Sequence, residues 1–312
     1  MKILITGGCG YIGIELTKKL LKNKKNKITV LDIQWFGNKL RKNKNLKIFK
    51  FDIRNIENFS GKFDLIIHLA NIANDPTAEL NPNLSWDVNV LASMKICEFA
   101  IRNKINKIIF LSSGSVYGIK KEKRVTENLS LKPISVYNKT KMIAERIFLS
   151  YKNKLNIICL RPATVCGASD RIRLDLTINK LTYDAMTKGK IFVDGGSQIR
   201  PNVYIQDIID VIFFFIKKKR IKHNIYNVGF ENHSVLGLAK MISKVTNAKI
   251  IVNKNIDPRS YRQDSTRLIK TGFKPKYSVM TAIENLKVFF KKSKKFSENN
   301  FNIQKMKKLR LK

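Results

Sequence analysis

Three side chains in the first half of this sequence have types and a spacing that suit acid–base chemistry. Tyr137 and Lys141 are four positions apart in a segment predicted to be helical, so they share one helix face. An adjacent ammonium favours the phenolate form of tyrosine, which can then take a proton from a hydroxyl near neutral pH. Ser113 is suited to hydrogen-bond the reacting oxygen and to stabilise its charge. Taken alone, the Tyr–Lys pair also fits an ordinary surface helix, and the serine also fits a turn.

The elements that must position these side chains alternate between short apolar runs and helical segments. This alternation predicts an α/β fold with a doubly wound parallel sheet, whose carboxyl edge binds ligands. Ser113 directly follows a predicted strand and therefore lies at that edge. The predicted strands are Lys2–Thr6, Lys27–Asp32, Leu46–Phe51, Leu65–Ala70, Lys107–Ser112 and Asn156–Arg161, and the predicted helices are Ile12–Leu21, Leu84–Arg102 and Pro133–Tyr151.

A glycine-rich run at the first strand–helix junction predicts a dinucleotide site. Such a turn lets the backbone and the helix N-terminus approach a diphosphate. Asp32 ends the second strand, where a carboxylate accepts both ribose hydroxyls and repels a 2′-phosphate, so the sequence predicts a Rossmann domain that binds NAD. Lys39 and Arg41 leave NADP open. The residues predicted to line this site are Gly7, Gly10, Tyr11, Ile12, Gly13, Asp32, Asp52, Ile53, Leu69, Ala70, Asn71 and Asn89.

The composition narrows the class of protein. The chain has 312 residues and a formal net charge of +38, but its lysines are spread along the whole sequence, so no specific nucleic-acid partner is expected. The apolar runs are too short for a membrane span and no signal peptide is visible, which predicts a cytoplasmic protein. The four cysteines are expected to be free thiols. His68 is expected to pack within a strand, and no metal is expected.

The strand–helix alternation breaks after Arg161 and resumes near Val203, which indicates two interleaved domains. The predicted Rossmann domain comprises residues 1–165 and 203–229. A smaller, mainly C-terminal α/β domain for the substrate comprises residues 166–202 and 230–290. The basic residues 291–312 are expected to form a mobile, solubilising tail.

These residues resemble the extended short-chain dehydrogenase/reductase family, specifically its NDP-sugar epimerase and dehydratase branch. The resemblance implies that Tyr137 is the base, Lys141 its partner and Ser113 the hydroxyl helper, and that Pro162 and Ala163 border the nicotinamide. It covers most of the chain to about Leu286, through the glycine run, Asp32, Asp52-Ile53, His68-Leu69-Ala70, Asn89-Val90, Ser112-Ser113, Val116-Tyr117-Gly118, Tyr137 with Lys141, Leu160-Arg161-Pro162, Arg200, Tyr204-Ile205-Gln206-Asp207 and Tyr226-Asn227-Val228-Gly229.

The resemblance also implies that the substrate is a nucleotide-diphosphate sugar. Arginine suits a diphosphate because its charge is permanent and its donors are forked. For Arg173 and Arg262, a surface position in a basic protein is an equal alternative. The implied substrate residues are Arg200 and Arg259, with Arg173 and Arg262 near them in sequence, and Ser113, Thr164 and Asn179 for the sugar.

Departures from the pattern of particular branches bear on the reaction. Gly114 and Ser115 stand where dehydratases of this branch need an acidic pair, which disfavours water elimination. The resemblance then favours an epimerase that oxidises C4 transiently and returns the hydride, with a 4-keto-sugar reductase or a dehydratase as alternatives. A non-enzymatic Rossmann protein that binds RNA or an acidic partner is supported by charge alone. Helices Leu84–Arg102 and Pro133–Tyr151 are expected to form a homodimer interface.

Overall fold

Seven parallel strands form the central sheet of the computed structural model, which describes residues 1–254, 260–292 and 296–309. Numbered along the chain, the strands are β1 Lys2–Thr6, β2 Lys27–Asp32, β3 Leu46–Lys50, β4 Leu65–His68, β5 Lys107–Leu111, β6 Asn156–Pro162, β7 Thr164–Cys166, β8 Lys190–Asp194, β9 Ile199–Tyr204, β10 Ile225–Val228, β11 Glu231–Ser234 and β12 Lys249–Asn253. The central sheet has the order β10-β6-β5-β4-β1-β2-β3. This order is that of a doubly wound Rossmann sheet with one added strand.

Helices pack on both faces of this sheet. The α-helices of the described residues, including those beside the smaller sheets, are α1 Tyr11–Leu21, α2 Asp75–Ala78, α3 Pro82–Trp86, α4 Ala92–Arg102, α5 Val136–Ser150, α6 Thr177–Lys188, α7 Ile205–Lys217, α8 Val235–Thr246, α9 Thr266–Ile269, α10 Val279–Lys292 and α11 Asn302–Leu309. Successive side chains of β1 point into two different apolar clusters. Ile3 and Ile5 belong to the cluster formed with α1 and α7, whereas Leu4 belongs to the cluster formed with α4 and α5. Burial on both faces explains the uninterrupted apolar strands.

Two predicted helices differ from those observed. The predicted helix Leu84–Arg102 is divided into α3 and α4 by a π-helical turn at Asp87–Leu91. The helix that carries Tyr137 begins at Val136, not at Pro133, because the Ser135 side chain accepts a hydrogen bond from the backbone N–H of Asn138 and caps the first turn.

Two small sheets lie outside the central sheet. Strand β9 pairs with β7 in parallel and with β11 in antiparallel, and β8 pairs with β12. Helices α6, α8 and α10 pack beside them. The predicted domain boundaries at residues 165 and 203 fall inside β7 and β9, because these two short strands pair with each other beside the end of β6.

The basic C-terminal segment is more ordered than the sequence analysis expected. Lys291 and Lys292 end α10. Farther along, the rings of Phe296 and Phe301 lie 5.3 Å and 6.4 Å from that of Tyr183, and Met306 of α11 is buried. The expectation of a mobile tail is wrong for residues 296–309, since apolar side chains spaced among the lysines are buried there.

Other expectations from composition concern single side chains. The four cysteines are buried free thiols, as predicted. His68 is buried in β4 and hydrogen-bonds Thr6 Oγ1 at 2.7 Å. Across the described ranges, no helix has both the length and the apolar character to cross a membrane.

Candidate active site

The turn between β1 and α1 is built around glycines that have no room for a side chain. Gly7 has a φ of +73°, and a Cβ there would lie 2.5 Å from the backbone nitrogen of Ala70. A Cβ on Gly13 would lie 2.4 Å from the carbonyl oxygen of Gly7. Gly10 is different, since its Cβ would meet only the Gly7 carbonyl, at 3.2 Å. Because Gly10 has no Cβ and lines a cavity, a ligand can approach the start of α1 at this point.

Asp32 lies at the carboxyl end of β2 beside this turn. Its Oδ2 accepts from the Cys9 N–H at 2.9 Å, and its Oδ1 accepts from the Gln34 N–H at 2.7 Å. Burial raises the pKa of Asp32, and these two backbone donors oppose the increase. Each carboxylate oxygen keeps acceptor capacity for a ribose hydroxyl. Lys39 and Arg41, which left NADP open, are exposed and do not line the cavity described next.

A single cavity brings together most of the residues predicted to bind the dinucleotide. We refer to it as the cofactor cavity. Its glycine backbone and the Asp32 carboxylate at the end of β2 fit NAD. The predicted residues that line it are Gly7, Gly10, Tyr11, Ile12, Gly13, Asp32, Asp52, Ile53, Leu69, Ala70 and Asn71. It is also lined by Arg173, predicted for the substrate, and by Trp35, Phe36, Arg171 and Asn302, which the sequence analysis did not select.

The predicted base and its hydroxyl helper meet at the carboxyl end of β5. Ser113 lies close enough to Tyr137 to influence its phenol, and the Ser113 Oγ lies 2.8 Å from Ser115 Oγ. Burial raises the pKa of Tyr137, whereas Ser113 and Arg173 lower it. The sequence assigned this acidifying effect to Lys141, which has a different environment in the structure.

Lys141 is buried at the carboxyl end of β5. Its Nζ donates to the Leu111 carbonyl at 2.6 Å and lies 4.3 Å from the centre of the Phe110 ring. Burial lowers the pKa of Lys141 to about 7, and the charge of Glu145 opposes this decrease. Glu145 is itself held by Arg161, whose Nε donates to it at 3.0 Å. The side chain of Lys141 is therefore fixed at the end of β5, two residues before Ser113.

The atoms around Gly114 leave little space for a larger side chain at one of the two positions where dehydratases of this branch need an acidic pair. A Cβ at this position would lie 2.7 Å from Gln263 Oε1, 3.0 Å from the Tyr261 hydroxyl and 3.1 Å from the Pro162 carbonyl. A side chain at this position therefore requires Gln263 to move and the other two groups to shift slightly. The packing therefore agrees with the sequence argument against water elimination.

Asn179 makes contacts that differ from its predicted role with the sugar. Its Oδ1 accepts from the Gly167 N–H at 2.9 Å, and its Nδ2 donates to the Tyr11 hydroxyl and to the Arg173 carbonyl. The Tyr11 hydroxyl in turn donates to the Gly167 carbonyl at 2.8 Å. Because its polar atoms bond to the protein, Asn179 positions the cavity wall and is not placed as a sugar ligand.

Asn89 and Asp52, which were predicted to line the cofactor site, also form polar contacts within the protein. Asn89 lies in the π-helical turn, where its amide bonds both backbone groups of Ile72 and the Thr140 hydroxyl. It thereby fixes the loop after β4 that lines the cavity, although it does not line the cavity itself. Asp52 pairs with Arg54 at 2.6 Å.

The remaining predicted site residues do not line the cofactor cavity. Pro162 and Ala163, predicted to border the nicotinamide, are buried at the end of β6, and Thr164, predicted for the sugar, begins β7. Arg200 lies in β9 and is half-buried, whereas Arg262 is exposed, as the surface alternative predicts. Arg259 lies outside the described residues. The nucleotide-diphosphate site therefore stays a prediction.

A doubly wound sheet with a dinucleotide cavity beside a Ser113–Tyr137–Lys141 set defines a dehydrogenase-type enzyme that uses NAD. The model of the NAD dependent epimerase/dehydratase family matches residues 3–229, and the chain belongs to this family. This membership confirms the predicted fold class, cofactor and enzyme class.

Individual relatives are similar over almost the whole chain. UDP-glucose 4-epimerase of Lactobacillus helveticus is 29% identical over 308 residues, which cover 89% of this chain and 93% of the relative. The structure of UDP-glucose 4-epimerase from Thermotoga maritima with UDP-glucose has a TM-score of 0.84 at 25% identity, covering 94% of this chain and 99% of that one. UDP-glucuronic acid 4-epimerase from Bacillus cereus, in complex with UDP-glucuronic acid and NAD, has a TM-score of 0.80 at 25% identity and the same coverage.

Proposed function

We propose that this protein interconverts the two C4 epimers of a UDP-sugar. The observation that carries the proposal is the placement of Ser113 beside Tyr137 at the carboxyl end of β5, near the cofactor cavity. The relatives that are UDP-sugar 4-epimerases support UDP as the nucleotide and C4 as the reacting carbon. The lack of space at Gly114 supports epimerisation over dehydration.

The chain's own residues divide the chemical work between them. Tyr137, as phenolate, accepts the proton of the C4 hydroxyl, and Ser113 hydrogen-bonds the same oxygen as its charge changes. When bound, oxidised NAD supplies a positive ring that favours the phenolate, and it takes up the C4 hydrogen with its electron pair for return to either face. Tyr137 then returns the proton to the oxygen. Asp32 would hold the adenine ribose of the bound cofactor, and Lys141, whose Nζ lies at the Leu111 carbonyl, would hold the nicotinamide ribose.

Isomer formation without added cofactor tests this proposal. Purified protein that retains NAD should convert UDP-glucose or UDP-glucuronic acid into its C4 epimer, detected by chromatography or NMR. Consumption of NADH with a 4-keto sugar, in the absence of any interconversion, would replace the epimerase by the reductase alternative.

Tyr137→Phe should abolish turnover while NAD binding is preserved, because only the proton acceptor is lost. Tyr151→Phe is the matched control, since Tyr151 follows the same helix and bonds the exposed Glu98. Retained turnover in Tyr137→Phe would contradict the mechanism.

A homodimer is a second part of the proposal. Exposed apolar side chains on α3, α4 and the turn between them support it: Trp86, Leu91 and Met94 are 37%, 50% and 43% exposed. Such side chains in one region are typical of an interface. Light scattering should give a dimer mass, and Leu91→Lys should give a monomer. A cytoplasmic location is proposed because buried free thiols fit a reducing compartment, and cell fractionation tests it.

A further inference from the structure

The wall of the cofactor cavity contains a buried arginine that the mechanism does not use. Arg171 is 3% exposed and its guanidinium carbon lies 4.0 Å from the centre of the Phe36 ring. One of its terminal nitrogens, Nη2, donates to Asn302 Oδ1 at 2.6 Å. Its Nε is also buried, and no group in the described part of the chain accepts a hydrogen bond from it. A buried donor without an acceptor is unfavourable, which suggests that a ligand supplies one.

The charge of Arg171 is less neutralised than that of its neighbour. Arg173 lines the same cavity, but its Nη2 donates to Asp175 at 2.6 Å, so its charge is paired. The hydrogen-bond acceptor of Arg171 is the neutral amide of Asn302, while Asp32 and Asp175 act on Arg171 only through space. Burial, followed by the nearby Arg173, lowers the pKa of Arg171 to about 9, and an anion in the cavity would oppose this decrease. Arg171 therefore presents net positive charge to the cavity.

Asn302 is held firmly by the C-terminal segment. The Leu174 N–H donates to the Asn300 carbonyl at 2.8 Å, and Asn300 Nδ2 donates to the Ile172 carbonyl at 3.2 Å. Together with the buried Met306, these bonds fix residues 300–306 along the segment that carries Arg171. This C-terminal segment lies outside residues 3–229 that the family model matches.

The diphosphate of a dinucleotide is the group that Arg171 suits. It carries negative charge and has several acceptor oxygens, which match the forked donors of arginine. The glycine turn offers neutral N–H groups, and the first turn of α1, Tyr11 to Ile14, contains no basic residue. We propose that Arg171, oriented by Asn302, binds the diphosphate of NAD, so that the C-terminal segment is part of the cofactor site. Asn302 is then a positioning residue, because it acts through Arg171.

Direct titration of cofactor-free protein with NAD tests the proposal without any sugar, so its failure is distinct from failure of the epimerase proposal. Arg171→Gln should raise the Kd for NAD by about tenfold or more, because a charge-assisted bond to phosphate is lost. Lys307→Ala is the matched control, since Lys307 is exposed on the same helix as Asn302. Unchanged affinity in Arg171→Gln would overturn the proposal.

Asn302→Asp separates charge from packing. The substitution keeps the size of the side chain but places a carboxylate on the guanidinium, so it should preserve or raise the melting temperature of the cofactor-free protein. It should still weaken NAD binding by about tenfold, because the charge offered to the diphosphate is cancelled. A purely structural role for this pair requires wild-type NAD affinity in Asn302→Asp, and that result would refute the proposal.

A ligand series identifies the group that Arg171 contacts. Arg171→Gln should weaken ADP-ribose and NAD by the same factor, whereas adenosine, measured by ligand-observed NMR, should bind as it does to the wild type. Equal weakening of adenosine would show that Arg171 shapes the adenosine site instead, and would also overturn the assignment.

Discussion

Replacing Lys141 by methionine is expected to stabilise the cofactor-free protein near pH 6. Burial lowers the pKa of Lys141 from 10.5 to about 7, a change that corresponds to roughly 5 kcal/mol of unfavourable charge burial. Methionine keeps the unbranched stem but leaves the Leu111 carbonyl without its donor, at a cost of about 1–3 kcal/mol. The free energy of unfolding should therefore increase by about 2–4 kcal/mol at pH 6.

This advantage should disappear as the pH rises. Between pH 7 and 10.5 the unfolded chain binds more protons at Lys141 than the folded chain does, so the stability of the wild type increases with pH in that window. The methionine variant has no such group. Above about pH 10 it should be less stable than the wild type, because only the missing hydrogen bond remains.

Urea unfolding at pH 6, 8 and 10 measures both the size and the pH dependence of this difference. Lys139→Met is the control, because Lys139 is exposed on the same helix and should change little at any pH. A Lys141→Met protein that is less stable than the wild type at pH 6, or a difference that does not vary with pH, would refute the reasoning from charge burial.

Two further substitutions test the packing around Gly114 and the role of Asp32 in the cofactor cavity. Gly114→Ala should lower the free energy of unfolding by about 1–3 kcal/mol and reduce the melting temperature, because its Cβ would lie 2.7 Å from Gln263 Oε1; an unchanged melting temperature would show that the site has room. Asp32→Asn should reduce the ratio of the Kd for NADP to the Kd for NAD by about tenfold or more, since a carboxylate repels the 2′-phosphate. Titration with both dinucleotides measures this ratio, and a constant ratio would contradict the role of Asp32.

Features that depend on residues close in sequence were predictable. The glycine turn and Asp32 are encoded within one strand–helix–strand unit, and Tyr137 and Lys141 share a helix face through local periodicity alone. The strands of the central sheet were recognisable because burial on both faces demands uninterrupted apolar runs. The prediction of the fold class rested on these local signals.

Features that depend on contacts between distant residues were not predictable. The π-helical turn at Asp87–Leu91 is accompanied by bonds from Asn89 to Ile72, which no helical period reveals. Asn179 has a side chain suited to a sugar, yet its bonds to Gly167 and Tyr11 appear only when β7 and α6 meet the glycine turn. In the C-terminal segment, the abundance of lysine obscured the few apolar residues that are buried.

The long sequence separation between Arg171 and Asn302 also bears on the order in which the cofactor cavity assembles during folding. The two residues are 131 positions apart, so closing the intervening loop has an entropic cost that other contacts must already offset. The glycine turn and Asp32, in contrast, need only the first two strands and their helix. We therefore expect the glycine turn and Asp32 to assemble early and the Arg171–Asn302 contact to form late. With Arg171 as the proposed ligand of the diphosphate, tight retention of the dinucleotide then reports that the chain has finished folding.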